Sequence, residues 1–377
     1  MPNTLGHLYR ITTFGESHGG GVGVVIDGCP PGYLIDWHQV QSWLDRRRPG
    51  QSHLSSPRKE KDAVVVLSGT EDDVTLGTPV ALMIRNEDHI PAHYKDMAEI
   101  FRPSHADFTT WAKYGIKSKS GGGRASARET IGRVAGAALA EQILNHHLKD
   151  FEVVAYVDSV KGVRAGGIVP EGLKRNLVEN HPLRCPPCPE RDRMEGIIVD
   201  AQKAGDTVGG TITCVIKGLP PGLGEPVFDK FEADLAKAML SLPASKGFEI
   251  GLGFAATELF GSEHNDPFVQ KADGSIGTLT NRSGGVQGGI TNGEMVSFRV
   301  AFKPVATVFK EQRSVNDRAE EVVLKPKAGR HDPCVLPRAV PMVEAMAVLV
   351  VMDHWLRQIP HGKLRGPKAH QSVLQRP

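Results

Sequence analysis

Hydrophobic and polar positions along the chain follow two spacings, one typical of strands and one typical of helices. Short apolar runs predict strands near residues 62–68, 78–85, 151–158, 250–259 and 295–302. Longer periodic segments predict helices near residues 36–47, 125–147, 190–204, 228–241 and 338–357, with Asp36 placed to cap the first of them. Many predicted strands follow one another directly, which favours an α/β (α+β) sandwich over a doubly wound parallel sheet.

The chain contains an internal repeat. The segment GESHGGGVGVVIDGCPPG at 15–32 aligns without a gap with GDTVGGTITCVIKGLPPG at 205–222, and half of the positions are identical. Each copy holds an apolar strand that ends in Gly-x-Pro-Pro-Gly, and a predicted helix follows each copy. We therefore expect two similar halves, starting near 15 and 205 and related by a pseudo-twofold axis.

Composition and charge exclude several classes of protein. The chain has 377 residues, of which 40% are hydrophobic and 23% charged, as in ordinary globular proteins. With a net charge of only +2, the chain lacks the strongly basic character that is typical of nucleic-acid-binding proteins. The longest apolar run, AMAVLVVM at 345–352, is too short to span a bilayer, and the N-terminal residues lack a signal-peptide layout. Five scattered cysteines indicate free thiols, so we expect a cytoplasmic protein.

The first copy of the repeat carries groups that hold or move protons. Glu16, Ser17 and His18 precede three glycines, which allow the backbone to approach a bound ligand closely. In the second copy Thr207 and Val208 replace the serine and the histidine, so the chemistry is expected in the first copy. The dinucleotide-binding spacing G-x-G-x-x-G is not satisfied by these glycines.

Two basic segments are candidates for anion sites. SGGGRASAR at 120–128 leads from a glycine loop into a predicted helix, whose start can bind phosphate beside Arg124 and Arg128. The alternative is an ordinary capped helix with solvated arginines. DRRRPG ends the helix at 36–47 and precedes a polar loop that could form a flap over residues 46–60, although three arginines on one helix are also typical of a solvated surface.

Other motifs are weaker evidence for a functional site when each is considered alone. His105 in FRPSHAD, and His331 with Asp332 in GRHDPC, could take part in proton transfer. The alternative is that they only make hydrogen bonds inside the core. The glycine loop at 283–293 is explained by tight turns. The segment CPPC at 185–188 has no second pair of ligands at the spacing of a zinc site, and no metal is expected.

Six segments together resemble the chorismate synthase family. GESHGGGVGVVIDGCP, GRASARETIGRVAGAAL and RHDPCVLPRAVPMVEAM are similar to its three signature segments, and DRRRPG, FRPSHAD and GGVQGGITNG match other characteristic stretches in the same order. The resemblance covers the chain except the basic C-terminal tail. It implies one catalytic domain over 1–360, a single-domain β-α-β sandwich and a homotetramer. The polar, basic and proline-containing composition of residues 361–377 predicts a mobile tail.

The resemblance also implies a reaction. The small-molecule substrate 5-enolpyruvylshikimate 3-phosphate loses phosphate and its C6 hydrogen in an anti-1,4-elimination that gives chorismate, the last step of the shikimate pathway. Reduced FMN is required, with NADPH as a candidate reductant. The substrate carries a phosphate and two carboxylates and FMN carries another phosphate, which suits an arginine-rich site.

Site residues carry over from the resemblance in three groups. The implied catalytic residues are His18 as proton donor to the leaving phosphate, His105 acting on the reduced flavin, and Asp332 helping to remove the C6 hydrogen. The implied FMN contacts are Arg124, Ala125, Ser126, Pro243, Ala244, Gly288, Lys303, Pro304, Val305, Ala306, Thr307 and Arg330. The implied substrate contacts are Ser17, Arg47, Arg48, His53, Arg102, Ser126 and Arg128, with His53 standing where many members have arginine.

Two other functions fit parts of the sequence. An FMN-dependent NADPH oxidoreductase would share the phosphate sites but would oxidise NADPH without a shikimate. An anion- or RNA-binding module would use the arginine run and the basic tail. The low net charge and the lack of aromatic residues among these arginines disfavour that module.

Overall fold

The computed structural model describes residues 3–56, 60–87, 99–118, 121–326 and 331–363, and two five-stranded antiparallel sheets dominate it. The first part of the chain contains β1 (Thr4–Leu5), β2 (Arg10–Gly15), β3 (Gly21–Asp27), α1 (Trp37–Arg47), β4 (Val64–Ser68), β5 (Thr70–Glu71), β6 (Val74–Thr75), β7 (Val80–Arg85), α2 (Asp107–Tyr114) and α3 (Thr130–Asn145). The first large sheet has the order β1-β2-β3-β7-β4, and β5 pairs with β6.

The second part of the chain forms the other large sheet. It contains β8 (Glu152–Val160), β9 (Val163–Arg164), α4 (Arg175–Glu179), α5 (Arg191–Lys203), β10 (Gly210–Lys217), α6 (Phe231–Leu240), β11 (Ser245–Ile250), α7 (Gly261–His264), β12 (Phe268–Gln270), β13 (Ile276–Thr278), β14 (Val286–Gln287), β15 (Ile290–Thr291), β16 (Val296–Phe302), β17 (Gln312–Val315), β18 (Glu321–Leu324) and α8 (Leu336–Lys363). This sheet has the order β11-β16-β10-β8-β9. The remaining strands form three two-stranded ribbons, β12-β13, β14-β15 and β17-β18.

Helices separate the two sheets. The helix α3 packs on β2, β3 and β7, and α8 packs on β8 and β10, while the two helices also pack against each other. Buried apolar side chains alternate along β7 and β16, as expected for strands that turn one face toward a helical layer. The result is a β-α-β sandwich, as predicted.

The internal repeat is visible in the order of the strands. The series β2-β3-β7-β4 in the first sheet has the same order as β8-β10-β16-β11 in the second. The gapless alignment places β3 on β10, and the glycines that end these strands, Gly28 and Gly218, have φ of 79° and 71°. Gly50 and Ala244, each after a proline, have φ of 74° and 67°. The two halves therefore share strand order and backbone conformation, as an internal repeat requires, and their origin by duplication stays a prediction.

Most predicted elements match the observed ones, and two differ for local reasons. Asp36 caps α1 by accepting a hydrogen bond from the backbone N–H of His38 at 2.8 Å. The predicted strand at 250–259 is wrong, because Gly251 and Gly253 have φ of 56° and 55° and turn the chain into a 3-10 helix after β11.

The helix predicted over 125–147 begins at Thr130 rather than at 125. Ser126 has extended backbone, with φ of −74° and ψ of 145°, and this residue separates two short 3-10 turns that precede α3. A residue in that conformation cannot continue the α-helical hydrogen bonds, so the glycine loop leads into the turns and not directly into the long helix.

The helix α8 forms the centre of the core. It runs from Leu336 to Lys363 and is long and apolar enough to cross a membrane, but 94% of its most apolar window is buried inside the protein. It is therefore a core helix. It also continues past residue 360, so the predicted boundary between domain and tail stays a prediction, and residues 364–377 lie outside the described part of the chain.

The close approach of α3 to the first sheet depends on a glycine. A Cβ atom at Gly132 would lie 2.8 Å from the carbonyl oxygen of Gly23 and 3.2 Å from atoms of Thr13 and Val24. We expect Gly132→Ala to lower the free energy of unfolding by about 1–3 kcal/mol, because overpacking outweighs the gain in helix propensity. Denaturant unfolding measures this change.

The matched control is Gly196→Ala in α5, where no heavy atom lies within 4 Å of the added Cβ. This variant should gain up to about 1 kcal/mol of stability from helix propensity. Equal stabilisation by both substitutions would contradict the packing described for α3.

Candidate active site

A cavity of about 1540 Å³ lies between the two halves of the chain. Its walls come from loops that occupy equivalent places in the two repeats. The loops after α1 and α6 contribute residues of 47–49 and 241–244, and the segments before α3 and α8 contribute residues of 122–129 and 331–338. The duplication thus places corresponding loops of both halves around one space.

The described residues that line the cavity carry more positive than negative charge. Nine of them are arginine or lysine and five are aspartate or glutamate. The cations are Arg10, Arg47, Arg102, Arg124, Arg128, Arg133, Lys237, Lys303 and Arg338. A concave surface with this excess favours anionic ligands.

Two of these arginines are fixed by one buried carboxylate. Arg47 donates to one oxygen of Asp62 at 3.2 Å and Arg128 donates to the other at 2.8 Å, and the carboxylate is fully buried. Burial and the neighbouring charge of Arg338 lower the pKa of Arg47, which the attraction of Asp62 opposes. Glu60, also buried, lies 3.5 Å from the Arg128 guanidinium, so two buried carboxylates hold these two arginines in place.

His105 is oriented by a second buried carboxylate. Its Nδ1 lies 2.8 Å from Asp107, whose two oxygens also accept hydrogen bonds from the Arg102 guanidinium at 2.7 and 2.8 Å. Burial would raise the pKa of Asp107, but the hydrogen bonds from Arg102 and His105 hold it well below its usual range. An ionised Asp107 requires a proton on Nδ1 of His105, which leaves Nε2 to exchange a proton with a ligand.

Asp332 also lines the cavity, and its carboxylate joins two segments of the chain. One carboxylate oxygen accepts a hydrogen bond from the backbone N–H of Ser56 at 2.7 Å, and the other contacts the Arg338 guanidinium at 2.5 Å. The Arg338 side chain also donates to the backbone carbonyl of Arg47 at 3.3 Å. Asp332 therefore holds the loop after α1 against the start of α8.

Most of the predicted FMN contacts meet at this cavity. Those that line it are Arg124, Ala125, Ser126, Pro243, Ala244, Lys303, Val305, Ala306 and Thr307. The ammonium group of Lys303 lies 3.2 Å from the backbone carbonyl of Ser104, next to His105. Burial and the charge of Lys246 lower the pKa of Lys303.

The guanidinium of Arg124 is already engaged by the protein. It donates to the backbone carbonyls of Gly15 and Thr13 at 3.2 and 3.1 Å, and to the Thr13 hydroxyl at 2.9 Å. Arg128 is likewise bound to Asp62. The sequence left open whether these arginines are solvated or bind an anion, and the structure shows that neither is solvated freely.

The second copy of the repeated motif supports the cavity without supplying chemistry. The hydroxyl of Thr207 donates to the backbone carbonyl of Val305 at 2.8 Å. Val208 pairs with Cys334 as a parallel β-bridge, and the N–H of Val208 donates a hydrogen bond to the carbonyl of Pro333 at 3.0 Å. These bonds position the segments 303–307 and 331–334, so the replacement of serine and histidine in this copy is matched by a structural role.

The first copy lies beside the cavity rather than on its lining. The side-chain amide of Asn86 donates to the carbonyls of Glu16 and Gly19 at 2.9 and 2.8 Å, and its oxygen accepts from Arg128. Arg128 lines the cavity, whereas Ser17 and His18 do not. The Ser17 hydroxyl is buried and has no hydrogen-bond partner within the described ranges.

Two predicted substrate contacts, Arg48 and His53, are not among the residues that line the cavity. Arg48 ends α1 and has a half-exposed side chain, 3.5 Å from Asp45. His53 is exposed and lies 2.7 Å from Glu195 in α5. The sequence placed both in a flap over the ligands, but the loop at 51–56 packs on the body of the protein, with Leu54 and Ser56 buried.

Gly288 and Pro304 also do not line the cavity, and Arg330 lies outside the described residues. Gly288 has φ of 61° in the turn between β14 and β15, which explains the glycine there by backbone conformation. Pro304 flanks residues that do line the cavity.

Sequence patterns did not predict the residues that orient the cations and the histidine. Asp62 lies 15 and 66 positions from Arg47 and Arg128, and Arg338 lies 291 positions from Arg47 but only six from Asp332. Asp107 lies five and two positions from Arg102 and His105, so the segment FRPSHAD holds a local signal, with an arginine, a histidine and an aspartate within six residues. No group that could hold a metal ion occurs among the described residues.

Known proteins match the chain along nearly its whole length. A sequence profile of the chorismate synthase family matches residues 9–356. The chorismate synthase of Methylacidiphilum infernorum (isolate V4) is 58% identical over 358 residues, 95% of this chain and 97% of that protein. That of Trichormus variabilis (strain ATCC 29413 / PCC 7937) is 56% identical over 365 residues, 97% and 99% of the two chains. A crystal structure of chorismate synthase covers 94% of both chains with a TM-score of 0.72 and 28% identity. The chain belongs to the chorismate synthase family.

Proposed function

We propose that the cavity binds reduced FMN and 5-enolpyruvylshikimate 3-phosphate together, and that its arginines hold the anionic groups of the substrate. Members of this family are lyases that release phosphate from that substrate to form chorismate. The observation that carries the proposal is a cavity of about 1540 Å³ with a marked excess of cations. Single-ligand pockets usually measure about 300–1,000 Å³, so this space suits two ligands.

The residues present fit a flavin mononucleotide. Ala125, Ala244 and Ala306 are small and leave room for a planar ring, and Lys303 supplies a cation for a phosphate. When bound, the reduced flavin supplies electron density that assists departure of the phosphate from the substrate. The protein's contribution is to hold the ring between the segments 124–126, 243–244 and 303–307.

The substrate's anions suit the arginines that buried carboxylates fix. Arg47 and Arg128 are held by Asp62, and Arg102 is held by Asp107, so these guanidiniums need little reorganisation when an anion arrives. Arginine also matches phosphate and carboxylate geometry better than lysine does.

Proton transfer is assigned to three residues. His18 donates a proton to the leaving phosphate, His105 exchanges a proton with the reduced flavin through Nε2, and Asp332 assists removal of the C6 hydrogen. The contacts of His105 with Asp107 and of Asp332 with Arg338 support these roles by fixing the two side chains. For His18 the support is its place in a loop that Asn86 connects to Arg128.

The protein is further proposed to be a cytoplasmic homotetramer. Its exposed large apolar side chains concentrate after residue 226, where Phe228, Phe254 and Phe260 are 91%, 79% and 79% exposed. Ile276 on the neighbouring hairpin is 75% exposed. Large apolar surfaces of this kind mark contacts with other protein chains.

Binding of the two ligands is expected to be cooperative. If the substrate lies against the flavin, each ligand should raise the affinity for the other by the same factor, typically about 5–150-fold. Titration of reduced FMN under anaerobic conditions, with and without substrate, measures this factor. Arg47→Lys should reduce it strongly, whereas the control Arg318→Lys should leave it unchanged because Arg318 is exposed and does not line the cavity. Identical FMN affinity with and without substrate would overturn the shared site.

The two histidines should differ in what their loss changes. His105→Ala is expected to alter the absorbance spectrum of the bound reduced flavin, because the protonation of the ring changes. His18→Ala should leave that spectrum intact and lower turnover by about 10²–10⁴-fold, the usual value of general acid catalysis. Absorbance spectra and single-turnover rates test both statements. An unaltered spectrum for His105→Ala would remove its flavin role.

Sedimentation velocity tests the assembly. The expected species has four times the chain mass of 40.8 kDa. Phe260→Asp should shift it toward smaller species, because a charge in a buried apolar contact is costly, while the control Glu258→Asp should not. A monomer at micromolar concentration would contradict the homotetramer.

A further inference from the structure

Two cysteines outside the cavity lie close together. Cys185 and Cys188 belong to the CPPC segment, and their Sγ atoms are 3.7 Å apart. Neither residue lines the cavity, and the proposed reaction does not use them. Cys185 is fully buried, and Cys188 is partly exposed to solvent.

The other three cysteines have different surroundings. Cys29, Cys214 and Cys334 are buried, and no sulfur–sulfur contact occurs at any of them in the described part of the chain. Burial raises the pKa of each of these thiols, and it raises the pKa of Cys185 as well. The CPPC pair therefore stands apart by its geometry, because its two sulfur atoms are in contact and Cys188 is partly exposed to solvent, where a thiolate can meet an oxidant.

The backbone holds the CPPC thiols near one another. Pro186 and Pro187 fix two φ angles between them, so little conformational freedom is lost when the sulfur atoms meet. Before the segment, the backbone carbonyl of Arg184 accepts a hydrogen bond from the N–H of Val157 in β8. At its end, the backbone carbonyl of Cys188 accepts a hydrogen bond from the N–H of Arg191. The segment is thus anchored at both ends.

The neighbouring histidine does not complete a metal site. His181 accepts a hydrogen bond from the N–H of Leu183 through Nδ1, and its Nε2 lies 3.3 Å from Glu195. Within the described residues no group of three side chains is arranged to hold a metal ion. Thiol chemistry therefore explains the pair better than metal binding does.

We propose that Cys185 and Cys188 form a reversible intramolecular disulfide. The oxidant is a small-molecule disulfide such as oxidised glutathione. The partly exposed Cys188 thiolate attacks one sulfur of the oxidant, which forms a mixed disulfide and expels one thiolate. Cys185 then attacks the Cys188 sulfur, loses its proton and releases the second thiol. Two protein thiols are oxidised and one small disulfide is reduced to two thiols, so atoms and electrons balance.

The disulfide would form next to contacts that reach the catalytic cavity. Arg184, which precedes Cys185, donates to the side chain of Gln51 at 2.9 Å and to the backbone carbonyl of Pro337. Gln51 belongs to the loop that Asp332 holds through Ser56, and Pro337 adjoins Arg338. Arg184 thus connects the CPPC segment to the two segments that Asp332 joins.

Thiol titration and peptide mapping test the proposal. The full-length protein is equilibrated in anaerobic glutathione buffers of graded ratio, quenched with acid and alkylated. The expected result is loss of two of the five free thiols, with one peptide in which Cys185 and Cys188 are linked, and full recovery on reduction. Retention of all five thiols in the most oxidising buffer, or a disulfide that involves another cysteine, would overturn the proposal.

Two variants test the order of the steps. Cys185→Ser should stop at a mixed disulfide of Cys188 with one glutathione, because the second thiol is missing. Cys188→Ser should take up no glutathione, because Cys185 is buried. Modification of Cys185 in the Cys188→Ser protein would contradict the assignment of Cys188 as the first nucleophile. Circular dichroism and thermal melting confirm that both variants are folded.

Discussion

The buried carboxylate of Asp62 holds together the part of the protein on which the cavity depends. It lies between the guanidiniums of Arg47, at the end of α1, and Arg128, just before α3, and it is completely removed from solvent. Breaking a buried pair by removing one partner typically costs about 3–5 kcal/mol, because the other charge is left uncompensated. Both arginines are therefore fixed before any ligand binds, and both line the cavity.

Duplication explains how a site of this size arises between two sheets. Equivalent loops of the two halves surround one cavity, yet the two copies of the repeated motif have different roles. The first copy carries Ser17 and His18 and is connected to Arg128 through Asn86. The second copy carries Thr207 and Val208 and holds the segments 303–307 and 331–334 in place. One copy carries the side chains proposed to react, and the other holds backbone segments that line the cavity.

Local patterns predicted much of this fold, because strand and helix periods and the Gly-x-Pro-Pro-Gly turns depend on neighbouring residues. They failed at Gly251 and Gly253, where positive φ turns the chain, and at Ser126, where extended backbone interrupts a helical pattern. The orientation of Arg47 by Asp62 was not predictable, since it depends on tertiary packing across a loop.

The placement of the loop after α1 shows the same limit. Its composition predicted a mobile flap that carries Arg48 and His53 over the ligands. Leu54 and Ser56 are instead buried, and Ser56 is bound to Asp332, a residue 276 positions away in the chain. No pattern within the loop itself reports such a contact, because a Gly- and Ser-rich segment has the same composition whether it moves or packs.

We propose that this arginine-lined cavity performs the phosphate elimination only with reduced flavin bound. The most direct measurement is anaerobic single turnover of the purified protein with 5-enolpyruvylshikimate 3-phosphate and chemically reduced FMN. Chorismate and inorganic phosphate should appear in equal amounts, and neither should appear with oxidised FMN or with no flavin. Phosphate release that is independent of reduced FMN, or NADPH oxidation without chorismate, would contradict the account.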